Sequence, residues 1–511
     1  MSTGLSWTER TAHSVTDVGP LMAFRLAGLR GRSRVLVTIA VGVILVVTVL
    51  AGWLPGYLPE VENAPRDEIV LLLPTGYVSV LVISLVAAVA SGGGRELLPR
   101  DQAVAYPVSP VTDHLGALLM APLNIAWLLQ TWSLLAATAY VVGAKPSLPL
   151  AQLPVLLWVV AATALAQVAA WFAEWVRRGP QGRVLLRLLV LLVGSGLGAL
   201  IVTDTLVPAL DRSPTLRITL GVLYGASLQW APWWRVVGWL ILLALLAVLA
   251  GAALAVAVSR RPARDEQRAE SSRHAPRPSP TSDLVALVRV DRVAIWRSVP
   301  LRRGLAVLAL LPGLVALASA LDWQMLTILP GLVASGGALL FGVNSWCLDG
   351  RGALWRESLP ISSNLVFLAR ALVLLEVLLL SIGLTLLLAA VRAGAPTLGQ
   401  AAAVICASAV VSAQVVSASL RWSVRHPYAV DLRSARATPA PPLVMVGYST
   451  RLAVATTVSG LLFAVASRGP WQLPVLVALP FLLVSAYRLL GTSRAWADPV
   501  QRAAVITTVV G

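Results

Sequence analysis

Charged side chains are scarce in this 511-residue sequence, at 12% against 58% hydrophobic residues. A soluble globular domain carries about 25% charged and about 45–50% apolar residues, so an ordinary water-soluble enzyme is excluded. Lysine is nearly missing: among 40 basic residues it occurs only as Lys145, in the stretch VVGAKPS. A P-loop needs a glycine-rich turn ending in Gly-Lys-Ser/Thr, whose amides and lysine hold phosphates, so the chain cannot bind ATP by that route. Cysteine occurs twice, at Cys347 and Cys406, which gives neither a disulfide framework nor a thiolate metal site. The four histidines, His13, His114, His274 and His426, are scattered. No His-Glu-x-x-His, Cys-x-x-Cys or Gly-x-Ser-x-Gly pattern occurs, so no self-contained catalytic site, metal or bound cofactor is expected. Residues 1–20 are polar and lack an apolar core before a small-residue cleavage site, so no cleavable signal peptide is expected.

What the chain has is apolar length, with a mean hydropathy of +0.81. Runs of about 20 apolar residues suffice to cross a bilayer. They recur near 34–54, 68–91, 115–142, 151–176, 184–203, 235–258, 303–321, 324–346, 364–391, 398–420, 444–466 and 471–490. The expected fold is an all-α polytopic membrane protein of about twelve transmembrane helices. The formal charge of +17 would suggest nucleic acid in a soluble protein. Here the arginines gather at alternate ends of the spans, among them Arg30, Arg32, Arg34, Arg177, Arg178, Arg302, Arg303, Arg433 and Arg436. By the positive-inside rule these ends and both termini are cytoplasmic, which implies a multi-pass protein of the inner (plasma) membrane with the bilayer, not nucleic acid, as its surroundings.

Residues 259–282, SRRPARDEQRAESSRHAPRPSPTS, are nearly free of large apolar side chains and read as a disordered linker between halves 1–258 and 283–511. The halves repeat each other in order. RLAGLR from Arg25 matches RVAIWR from Arg292, and YPVSP from Tyr106 matches LPISS from Leu359. Ala166, Gln167 and Val168 match Ala413, Gln414 and Val415, a register that carries Trp175 onto Trp422 and Arg178 onto Arg425. RLLVLLVGSGL from Arg187 matches RLAVATTVSGLL from Arg451. An even number of spans in each half makes the repeat parallel, with a pseudo-two-fold along the membrane normal.

Before each half's first span, Leu21–Arg34 and Leu284–Arg303 mix arginine with apolar residues, as a helix lying in the interface would; the plainer reading is a flank that only sets topology. The segments after the second and eighth spans, GGGRELLPRDQAVAYPVSPVTDH and CLDGRGALWRESLPISSN, carry mixed charge around a short helical stretch and end at a Pro-Ser cluster. Each is either a solvated loop or a docking element for a soluble partner.

The order of interfacial helix, two spans, a loop of the form R-E-x-L-P-x-S, four further spans and a repeat resembles the permease subunits of ABC-2-type exporters, in the duplicated form common in actinobacteria. The arginine-for-lysine bias and the alanine and valine richness fit a high-GC genome. The resemblance implies a separate ATP-binding-cassette ATPase, in two copies, that carries ATP and Mg and docks on the loop between spans two and three of each half. Carried over by position, Glu96 to Pro110 and Asp349 to Ser362 would be the coupling loops, with Glu96, Arg100, Asp101, Tyr106, Pro107, Asp349, Arg351, Arg356, Glu357 and Pro360 as candidate contacts. The family also has short outer helices between spans five and six. Asp204 to Trp234 fits them in the first half, whereas the second half has only Ser467 to Pro470 there.

Within the spans Glu376 is the hardest residue to explain as packing. It falls about 12 residues, roughly 18 Å, into the ninth span and so near the midplane, where a carboxylate must be protonated, paired or wet. Arg451 is the expected partner in an ion pair, with Arg370 on a different face; a place along the substrate path is the other reading. Asn124 and the matched Gln167 and Gln414 are further polar candidates for that path, as are Arg187 and Arg451, which can also snorkel. The sequence thus points to the membrane half of an exporter of an amphipathic or lipophilic compound. The alternative is a twelve-span facilitator-type secondary transporter, for which Asp349-Gly350-Arg351-Gly352 is at best a fragment of the usual loop. A membrane-embedded enzyme would need clustered catalytic polar residues that do not occur.

Overall fold

A computed structural model describes residues 32–60, 65–91, 108–123, 125–203, 213–261, 282–340, 342–350, 352–429 and 442–510, with a few isolated positions besides. The described residues form helices and no strand. The chain divides into two compact units, Met1–Arg264 and Asp265–Gly511.

The first unit contains α1 (Arg32–Trp53), α2 (Arg66–Ser91), α3 (Pro110–Leu119), α4 (Ile125–Val142), α5 (Leu148–Arg177), α6 (Gly182–Val202), α7 (Leu216–Ala226) and α8 (Trp230–Ser259). The third expected span is broken into α3, a 3-10 turn at Ala121–Leu123 and α4. Pro122 explains the break, because it has no N–H to donate and its ring collides with the preceding turn. α5 packs against α2, α7 and α8. The core holds Tyr77, Val155, Trp158, Ile218 and Leu240, and the Trp158 indole donates to the Tyr77 carbonyl at 3.1 Å. His114 is fully buried. Its Nδ1 accepts from Trp171 Nε1 at 3.1 Å, which leaves Nε2 to donate to the Val248 carbonyl at 3.2 Å, so one neutral ring joins α3, α5 and α8. Only glycine fits beside it at 251, where a Cβ would run into the imidazole.

The second unit contains α9 (Asp283–Arg297), α10 (Val299–Ala318), α11 (Trp323–Leu326), α12 (Leu329–Leu340), α13 (Gly352–Glu357), α14 (Ser363–Ala390), α15 (Leu398–Arg425), α16 (Pro442–Ala466), α17 (Gln472–Ala497) and α18 (Pro499–Val510). The eighth expected span is likewise interrupted, as α11, α12 and a 3-10 segment, Gly342–Leu348, that contains the non-helical Asn344. Ser423 of α15 fixes this segment by accepting from Ser345 N at 2.9 Å and donating to the Gly342 carbonyl at 3.0 Å. α14 packs against α9, α10, α12 and α15, and α15 against α16 and α17. The indoles of Trp346 and Trp496 stack in parallel, centroids 3.6 Å apart. α18 has no counterpart among the expected elements; Pro499 starts it, as a fixed φ favours at a first helical position.

The two units share a local device at the repeat register. Ser109 caps α3 by accepting from Thr112 N at 3.0 Å, and Ser362, which the YPVSP/LPISS match places opposite it, caps α14 by accepting from Leu365 N at 3.4 Å.

Among the described residues, eight helical stretches are long and apolar enough to cross a membrane: Arg66–Ala88, Leu148–Arg177, Trp230–Ser259, Leu301–Ala318, Trp323–Leu340, Ser363–Ala390, Leu398–Arg425 and Gln472–Ala497. Only 17% of the Gln472–Ala497 window is buried inside the protein. So broad an apolar surface would not stay dispersed in water. The chain is an all-α, multi-pass membrane protein.

Adding a methyl group beside the buried imidazole should overpack the first unit. Gly251→Ala is expected to cost about 1–3 kcal/mol, seen as a lower thermal unfolding midpoint in detergent. Gly238→Ala on the same helix, with nothing near its Cβ, should leave the midpoint in place.

Candidate functional site

The chemistry of the second unit concentrates where α9, the turn into α13 and the first turns of α14 come together. Arg370 lies two turns into α14 and is fully buried. A guanidinium cannot give up its proton, so a buried one requires anionic and carbonyl partners. Arg370 Nε donates to Asp291 Oδ2 at 2.9 Å, and Nη2 reaches both Asp349 oxygens at 2.8 Å. Nη1 donates to the Ser345 carbonyl, and the guanidinium lies 5.3 Å from the Trp346 ring centroid.

A second arginine closes the cluster. Arg356 of α13 donates from Nη1 to Asp291 Oδ1 at 3.0 Å and from Nη2 to Asp349 Oδ2 at 2.6 Å. Two cations and two carboxylates therefore balance in one buried group. Burial pushes the Arg356 pKa below its ordinary value, as does the neighbouring Arg370, while Asp349 and Asp291 oppose the shift. The chain reaches this geometry through Gly350, whose φ of +49° lets the backbone reverse between Asp349 and α13. The result fixes α13 from behind to α9 and α14. Its other side presents Leu354 and Trp355, which are exposed.

The remaining loop candidates fall outside this cluster. Glu357 pairs with Arg502 of α18 at 3.0 Å, and Pro360 is exposed in the turn before Ser362. Glu96, Arg100, Asp101, Tyr106, Pro107 and Arg351 lie outside the described residues, as does Asn124. Asp291 and Arg370 were not among the candidates. The available signal was an arginine within an apolar run together with a lone acid in the basic stretch RVDRVAIWR. In the first half, the register that pairs Ser109 with Ser362 puts the buried Ala117 opposite Arg370.

Glu376 corrects the expectation made for it. Its Oε2 accepts from Arg292 Nε of α9 at 2.7 Å, not from Arg451, and the two side chains are 34% and 51% exposed. The apolar pattern of α14 placed it near a midplane, but α9 packs along the first half of that helix and supplies the cation. Gln167 is buried in the first unit with Oε1 unpartnered, and Arg187 is exposed on α6. Gln414 accepts from Ser459 at 3.2 Å. Gln414 and Arg451 line a cavity of about 340 Å³ formed by α15, α16 and α17.

The two charge systems should respond differently to removal of one member. Arg370→Gln leaves two buried carboxylates with one arginine and is expected to cost about 3–5 kcal/mol. Glu376→Gln breaks a half-exposed pair and should cost about 1 kcal/mol or less. Folded yield and thermal unfolding midpoints measured side by side check the ordering.

No protein-family model, curated protein or solved structure matches the chain.

Proposed function

We propose that this chain is the membrane-spanning subunit of an ATP-binding-cassette exporter, moving an amphipathic or lipophilic compound outward across the plasma membrane. ATP and Mg belong to a separate ATPase that docks on the cytoplasmic side. The observation that carries the reading is α13. It is a short helix outside the apolar spans, with Leu354 and Trp355 exposed on one side and Arg356 bound to Asp291 and Asp349 on the other. A push on such a helix passes to α9 and α14 through buried ion pairs instead of being absorbed by a loose loop.

Reading the shorter apolar helices α1, α4, α6 and α16 as crossings, beside the eight longer stretches, gives six per unit and both termini in the cytoplasm. The buried α7 then lies on the outer side. Cargo would be exposed alternately on the two faces of the membrane, as in parallel-repeat transporters.

The purified chain should show no ATPase activity and should bind a cognate ATPase as a dimer, one chain to two copies. Trp355→Glu and Leu354→Glu change exposed side chains, so folding should persist while ATPase affinity falls by about 2 kcal/mol or more, the loss typical of a contact hot spot. Co-purification and vesicle export assays check this. ATPase activity from the chain alone, or normal export by both variants, would refute the coupling reading.

A further inference from the structure

The end of α15 and the end of α5 are equivalent by the repeat, yet their charges are opposite at one position. The register that places Trp175 on Trp422 and Arg178 on Arg425 puts Glu174 opposite Arg421. In the first unit Glu174 accepts from Arg177 Nε at 2.7 Å and from Arg178 Nε at 2.8 Å. Arg178 Nη1 also donates to the Val258 carbonyl at 3.1 Å, and Arg261 covers the Trp175 ring at 3.8 Å. That end satisfies itself.

In the second unit the acid is replaced by a further cation. Arg421, Arg425, Arg451 and Arg488 line the cavity of about 340 Å³, and no carboxylate does. None of the four has an ion-pair partner among the described residues. Three of them continue into an adjoining cavity of about 210 Å³. Tyr448 and Trp422 form one wall, with Trp422 stacked on His426 at 4.4 Å and 5.3 Å from Tyr448. The buried Nε1 of Trp422 has no acceptor. The four guanidinium groups are exposed and border one space with no carboxylate among them, and guanidinium forks suit an oxyanion. Ala418, Leu452 and Ala455 add apolar surface to the lining, and Gln414 and Thr456 add neutral polar groups. Val454 and Val458 of α16 and Leu483 and Val484 of α17, on the helices that supply Arg451 and Arg488, are exposed and offer apolar surface for an alkyl chain.

We propose that this cavity binds the phosphate or carboxylate head group of an anionic amphiphile. Binding itself is independent of the exporter reading; the amphiphile's being cargo rests on that reading.

The test uses the full chain in a neutral maltoside detergent with dodecyl phosphate, sodium phosphate and dodecyltrimethylammonium as probes, read as the shift in unfolding midpoint. Dodecyl phosphate is expected to give a saturable rise and the cationic amphiphile none. Arg421→Glu offers Arg425 the partner that Glu174 gives Arg178, position 424 being valine where the first unit has Arg177, so its folding should persist. It should weaken dodecyl phosphate binding by about tenfold or more, as should Arg451→Gln through loss of a charge-assisted contact. Arg494→Gln, which removes the same charge as Arg451→Gln but outside the lining, should bind as the unaltered chain does. Equal protection by both amphiphiles, or undiminished binding by Arg421→Glu, would overturn the site. Equal protection by sodium phosphate alone would overturn the amphiphile in favour of a soluble oxyanion. With the ATPase bound in proteoliposomes, dodecyl phosphate that stimulates hydrolysis marks the ligand as cargo. Binding without stimulation, in a complex that still hydrolyses ATP, overturns the cargo assignment and leaves a lipid site. Failure to form any ATPase complex strikes the exporter reading and not the anion site.

Discussion

Burying a guanidinium is the constraint around which the second unit is organised. Arg370 cannot be neutralised by losing a proton, so its place inside α14 requires Asp291 to be brought to it by α9, and Asp349 and the Ser345 carbonyl by the stretch that precedes α13. Each requirement shapes a piece of chain. Asp291 fixes how α9 lies on α14, Ser345 fixes the 3-10 segment that α15 holds through Ser423, and Asp349 fixes the start of the turn into α13. Arg356 then enters as the second cation of a balanced set. Such a group adds little net stability over an apolar core of equal volume, but every wrong arrangement leaves a charge without a partner.

Around His114 and Trp158 the first unit reaches the same kind of specification with neutral groups. A neutral imidazole at His114 takes one hydrogen bond and gives another, and the Trp158 indole and the Gln152 amide nitrogen donate to main-chain carbonyls. Directional bonds between helices matter in an apolar setting because apolar contacts alone do not distinguish one helix register from another.

The apolar runs made the helical class and the polytopic character legible, since run length and composition act directly through the bilayer. Breaks inside runs were less so. Pro122 was visible, but whether a proline kinks a helix or ends it depends on neighbours that sequence order does not reveal. Asn344 carries no comparable mark. The site was legible in part: Asp349 and Arg356 stood out in a polar loop, while Asp291 and Arg370 are far apart in sequence and meet only when α9 folds onto α14. For Glu376 an ion pair was legible and its partner was not. Depth counted along one helix says nothing of the helix lying beside it, and Arg292 was that missing information.

The opposed charges at Glu174 and Arg421 bear on why two halves in one chain differ from two copies of one half. A symmetric dimer must place the same residue at both equivalent ends, so a change that opens one end opens both. Covalent linkage removes that obligation. One end can keep its internal ion pair and the stability that goes with it, while the other is free to specialise, and a single polypeptide then holds two versions of the same helix terminus that no homodimer could combine.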